Sequence, residues 1–209
     1  MSLDEYGELY DAGKAAKEQD EFRIAAAYYT HAAYERLGTS EYLVESRDKP
    51  PGWLDIGRAF RCFLSAIYCH RRSQEPLRAA NLAKQALLIC EDLEANVASE
   101  PARRGWCYET MGDLRVFSGL NDAQNSYEKA ADAYSHVDNI IGWLAEPEFD
   151  VMENPLFELA DAADHEVPRR KKSRIKSTSF AERIAYKREH MPDLIAAIAN
   201  DAKNESGET

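Results

Sequence analysis

The side chains that could do chemistry in this chain are scattered rather than assembled. Five histidines, His31, His70, His136, His165 and His190, stand apart from one another and from the four cysteines, Cys62, Cys69, Cys90 and Cys107. There is no CxxC pair and no histidine at zinc-ligand spacing, so the cysteines read as small buried hydrophobes rather than as metal ligands or a redox pair. No glycine-rich phosphate loop, GxSxG elbow or HExxH helix is present. Carboxylate pairs such as Glu91 and Asp92 fall on ordinary helix surfaces. What remains is binding rather than bond-making: no catalytic residue, metal or cofactor is assigned, and no enzyme is expected.

Charge supplies the stronger signal. The chain of 209 residues carries a net charge of −11. Ten acidic residues and no Lys or Arg fall between Asp132 and Glu166, so the rest of the chain is close to balance at −1. Directly afterwards come Arg169, Arg170, Lys171, Lys172, Arg174 and Lys176, six cations within eight positions. An acidic segment abutting a basic one is the chain's clearest charge pattern.

The elements that must position these groups are helices. Apolar residues recur near a 3.6-residue period through the first 136 positions, and no window alternates as a strand does. Helices are expected from Asp4 to Gln19 and from Asp20 to Leu37, with Gly38 ending the second. Ser46 to Gly52, with two prolines, breaks the pattern. Helices then follow over 53–72, over 77–94 with Pro76 opening the first turn, over 102–117 and over 120–136. Trp143, Phe149, Phe157 and other large apolar residues lie among the acids of 138–167 and suit a strap over the last hairpin. Residues 168–179 read as a basic linker, 180–200 as an amphipathic helix bearing Ile184, Met191, Leu194, Ile195 and Ile198, and 201–209 as a disordered tail. The fold class is all-α, with a repeat domain over 1–137.

Three hairpins in series carry a recurrent small-and-aromatic signature. Leu9, Ala12, Gly13 and Ala16 are followed by Phe22, Ala25, Tyr29 and Ala32. Tyr108, Met111, Gly112, Gly119, Leu120, Ala123, Tyr127 and Ala130 repeat it with one residue missing at the turn. The middle hairpin offers Ala79, Ala83 and Ala86, with Ile67 where Gly is expected. In this the chain resembles the tetratricopeptide-like superfamily, in a long-helix form with connections longer than the regular period of about 34 residues.

The resemblance implies a concave groove lined by each hairpin's first helix, where such proteins hold a peptide or helix of a partner. By register that groove takes Tyr10, Lys14 and Lys17, then Arg61, Leu64, Tyr68, Arg71 and Arg72, then Trp106, Glu109, Asp113, Val116 and Phe117. Five of these thirteen are cations, which with the rings would suit an acidic ligand carrying an apolar anchor. The carboxylate clamp of chaperone cofactors is not expected, because its places hold Gly7 and Asp11, Arg61 and Ser65, and Trp106 and Thr110.

Two function classes follow. The first is a protein–protein adaptor or regulator that binds an acidic peptide or helix in the groove, with residues 138–166 able to dock there in cis. The second is a nucleic-acid-associated protein that contacts RNA or DNA through Arg169, Arg170, Lys171, Lys172, Arg174 and Lys176. The acidic start of the chain and the lack of a run of about 20 apolar residues give an expectation of cytoplasmic location without membrane insertion, and of nuclear import through the basic run in a eukaryote.

Overall fold

The computed structural model describes residues 3–39, 52–144, 146, 149 and 180–205. They form eight helices: α1 (Leu3–Glu18), α2 (Phe22–Thr39), α3 (Trp53–Arg72), α4 (Pro76–Asn96), α5 (Pro101–Ser118), α6 (Ala123–Ser135), α7 (Ile140–Leu144) and α8 (Phe180–Glu205). Among the described residues there is no strand. Pro76 and Pro101 open α4 and α5, where a missing N–H costs nothing, and His70, Arg71 and Arg72 close α3 against its negative end. Several boundaries differ from the sequence pattern: α2 starts at Phe22 rather than Asp20, α4 runs on to Asn96, and α6 starts at Ala123 rather than 120. Gly38 lies within α2 rather than beyond it, and α8 continues to Glu205, past the expected end at 200.

α1–α2, α3–α4 and α5–α6 are antiparallel pairs, and each second helix packs on the first helix of the next pair. α3 carries the core. Every residue from Cys62 to Cys69 is buried, because α2, α4, α5 and α8 surround it. All four cysteines are free and buried, in keeping with their reading as small hydrophobes.

The pairing is one device used three times. In α1–α2 the Glu21 amide reaches back to the Ala16 carbonyl, the Asp20 amide reaches the Lys17 carbonyl, and Asp20 takes a left-handed φ of 59°. In α3–α4, 54 positions on, Glu75 bonds to His70, Gln74 bonds to Arg71, and Gln74 has φ 57°. In α5–α6, Leu120 bonds to Arg115, Gly119 bonds to Val116, and Gly119 has φ 71°. This double bond satisfies the last carbonyls of the first helix and sets the angle at which the second departs.

The close contact between paired helices recurs as well. A Cβ placed on Gly13 would lie 3.0 Å from the Tyr29 ring, and one on Gly112 would lie 2.6 Å from Cδ1 of Tyr127. In the middle hairpin the same register holds Ile67 and Ala83, both fully buried. The bulk has moved from the second helix to the first, which fills the same gap with the partners exchanged.

α8 is joined to the body from far along the chain. Phe180 stacks on Tyr134 near the end of α6, with centroids 4.1 Å apart, while Met191 meets Tyr127 near its start. α8 therefore runs antiparallel to α6 and parallel to α5, and it also touches α3.

Candidate functional site

Two faces of the molecule hold cations, by different means. The first lies along α1 and α3. Tyr10 packs on Tyr29 (centroids 5.7 Å apart) and lies beside Tyr6, and the Arg61 guanidinium rests 4.9 Å above the Tyr10 ring. Arg72 sits 5.0 Å above Phe22, whose ring meets the edge of Tyr68. Arg36, from α2, covers Tyr6 at 4.1 Å and pairs with Asp55. Arg61, Arg71 and Arg72 are half-buried, and the Nε atoms of Arg61 and Arg72 are themselves buried. Arg71 reaches the α5–α6 turn, 3.4 Å from where a Cβ on Gly119 would sit.

The structure thus brings Tyr10, Arg61, Tyr68 and Arg72 together across α1 and α3, with Phe22 interleaved. Lys14 is exposed and pairs only loosely with Glu18, at 3.9 Å, while Lys17 is half-buried. Trp106 departs from its expected place at the groove. It is wholly buried between Trp53 and Phe60, with centroids 5.8 Å and 5.6 Å away, and belongs to the contact between α3 and α5. Tyr68 is 8% exposed and offers little more than an edge. The candidate nucleic-acid residues Arg169, Arg170, Lys171, Lys172, Arg174 and Lys176 lie outside the described residues.

The second face is on α5, where register placed Glu109 and Asp113 in the groove. It is already occupied. Arg183 of α8 forks onto Glu109, with Nε to Oε1 at 2.8 Å and Nη2 to Oε2 at 2.6 Å. Lys187, one turn on, bridges Glu109 Oε1 at 2.7 Å and Asp113 Oδ2 at 2.5 Å. The Tyr134 hydroxyl donates to Glu109 at 2.7 Å and the Tyr127 hydroxyl to Asp113 at 2.8 Å. All six side chains are buried. Two carboxylates and two cations leave no net charge, which is the condition under which such groups can be buried together.

The two carboxylates are not equivalent. Burial alone would raise Glu109, but Arg183 and Lys187 outweigh it and hold the group down at about 2. Asp113 has only Lys187, shared with Glu109, so burial prevails and pushes it up to about 6. Burial likewise raises the phenols of Tyr127 and Tyr134, helped by the charges of Asp113 and Glu109 respectively, so both stay neutral donors.

Sequence reasoning missed Arg183 and Lys187, although a signal was present. They stand four apart inside the apolar stripe formed by Phe180, Ile184, Met191 and Ile195, as Glu109 and Asp113 stand four apart on α5. The start of α8 is further held by the strap. Phe149 lies 5.4 Å from Phe180 and 6.1 Å from Trp143, and Arg103 is placed above both Trp53 and Trp143. Trp143 and Phe149 therefore pack near α5 and α8 and not along α1 and α3.

The chain matches no family model, no curated protein and no solved structure. Its function has to be read from these two faces. A cleft of about 460 Å³ between α5 and α6 is lined by Arg104, Tyr108, Lys129, Asp132 and His136. Beside it Glu94 takes both the Tyr108 hydroxyl and Arg104, and Lys129 lies over the Tyr108 ring. Among the described residues no helix is long and apolar enough to cross a membrane.

Proposed function

We propose that this chain is a non-catalytic protein-interaction module of tetratricopeptide-like build, and that its α1–α3 face binds an acidic peptide or helix of another protein. The repeat reading is supported by the turn that recurs at Asp20, Gln74 and Gly119 and by the paired contacts of Gly13 with Tyr29 and Gly112 with Tyr127. The observation that carries the binding reading is the placement of two guanidiniums of α3, Arg61 over Tyr10 of α1 and Arg72 over Phe22 at the start of α2. A guanidinium seated on a ring keeps its charge while its rotamer is held, so less ordering is needed when a carboxylate arrives. Rings beside it supply the apolar area an anchor residue would cover. Trp143 and Phe149 are engaged at α5 and α8, while the rest of the segment that could dock in cis, Phe157 included, lies outside the described residues.

The test is binding of the full chain to a fluorescently labelled acidic peptide built around a single Trp, followed by anisotropy. Substituting Glu for Arg61 and Arg72 together should weaken binding by about tenfold or more, and rising salt should weaken the parent as well. Equal binding by parent and variant would remove the α1–α3 face from consideration. Salt-sensitive binding of RNA lost on deleting 168–179 would transfer the function to the basic run.

A further inference from the structure

We infer that the seat on α5 and α6 is itself a binding site for a basic amphipathic helix, filled in cis by α8 and taken by a partner helix that presents an aromatic residue, an Arg and a Lys at the spacing of Phe180, Arg183 and Lys187. This goes beyond the reading above and uses a different surface, so the two can fail separately.

The seat has the chemistry of a recognition site more than that of a core. A helix required only to close the bundle would be held at least as firmly by apolar side chains, because burying an ion pair returns little beyond the cost of stripping its water. Here the centre of the contact is Glu109 and Asp113, backed by the hydroxyls of Tyr134 and Tyr127, and answered by Arg183 and Lys187. Such a contact is selective. A helix with Leu in place of Arg183 or Lys187 would leave a carboxylate buried and unanswered, which is the heavier penalty. It is also separable. When α8 leaves, the centre exposes charges and hydroxyls that water solvates, flanked by the Tyr134 and Tyr127 rings that Phe180 and Met191 cover.

The chain permits departure. Thirty residues, 150–179, separate Phe149 from Phe180, whose rings are 5.4 Å apart. At about 3.3–3.6 Å per residue that length can reach on the order of 100 Å, so the connection is long enough for α8 to vacate the seat. The outer edge adds a weaker, exposed contact from Arg188 to Gln124 and Glu128. The occupant is therefore read along one helix face: an aromatic ring, Arg three on, Lys four beyond, then Met and Ile.

The test uses the full chain and a fluorescent peptide copying residues 178–205. The parent should bind it weakly, since its own α8 competes at the high local concentration of a tethered segment. Lys187→Glu in the chain should loosen the resident helix and leave the seat intact, and peptide binding should rise by about tenfold or more. A peptide carrying Arg183→Glu and Lys187→Glu should not bind. Should Lys187→Glu fail to fold, a protease site introduced within 168–179 of the parent serves instead. After cleavage, the released α8 segment should exchange for the labelled peptide while hydrogen-exchange protection in α1–α4 is retained. Asp113→Leu with Lys187→Met should abolish the exchange. A cleaved segment that never exchanges, or a body that loses protection when it leaves, would make α8 plain core and overturn the proposal. Concentration-dependent dimers that disappear with Asp113→Leu/Lys187→Met would assign the seat to a second copy of this chain and overturn the partner.

Discussion

The α1–α3 face and the α5–α8 face treat their cations in opposite ways. Along α1 and α3, Arg61 and Arg72 lie on rings and remain half-exposed. Along α5 and α8, Arg183 and Lys187 are sealed against carboxylates. A ring attracts a cation without being harmed by its departure, whereas a buried carboxylate left without its cation carries a full desolvation penalty. Loss of a cation from the second face should therefore cost the fold more than loss of one from the first.

The sharpest way to break this contrast is to remove one cation from each face. Lys187→Ala leaves Asp113 buried without its counter-ion and should cost about 3–5 kcal/mol in urea unfolding, or detach α8 in hydrogen exchange. A loss under 1 kcal/mol would mean that the seat is wetter than its geometry. The hairpins can be compared through their glycines. Gly112→Ala drives a methyl into the Tyr127 ring beneath α8 and should cost about 1–3 kcal/mol. Gly13→Ala meets Tyr29 at 3.0 Å and gains about 1 kcal/mol of helix propensity, so its midpoint should hardly move.

Acid offers a third comparison. Between its ordinary 3.8 and its buried value of about 6, folded Asp113 holds a proton that the unfolded chain has lost, so its contribution to stability falls as pH rises through that window. Glu109, lowered from 4.5 to about 2, does the reverse, and its contribution rises over that lower range. Stability measured against pH for the parent and for Asp113→Asn should diverge between about pH 4 and 6, with the parent's decline absent from the variant; parallel curves would sink the assignment. The smallest effects belong to the α1–α3 face. Arg61→Ala should cost about 0.5–1 kcal/mol, and Lys14→Ala, which removes only a loose exposed pair, within about 0.5 kcal/mol.

Much of the helical scaffold was legible, because amphipathic period and proline placement act locally. Trp53–Arg72 and the starts at Pro76 and Pro101 follow from sequence alone. Register also singled out Glu109 and Asp113 on α5, which the structure places against α8. That packing was not legible, since nothing local says that a helix 74 residues further on supplies the two cations. Trp106 failed for a related reason. An aromatic residue on a first helix can face the groove or the neighbouring first helix, and only the presence of Trp53 and Phe60 decides between them. Gly38 was read as a stop because glycine often ends a helix, yet α2 takes it in helical form and gives up some propensity.

The direction of α8 has a consequence for what else can pack there. A stack of hairpins is open at each end, and whatever lies parallel to the last first-helix and across its partner takes the berth of the next hairpin. α8 lies there, alongside α5 and against α6. While it stays, the α6 face that it covers is closed to any other helix, from this chain or from a neighbour.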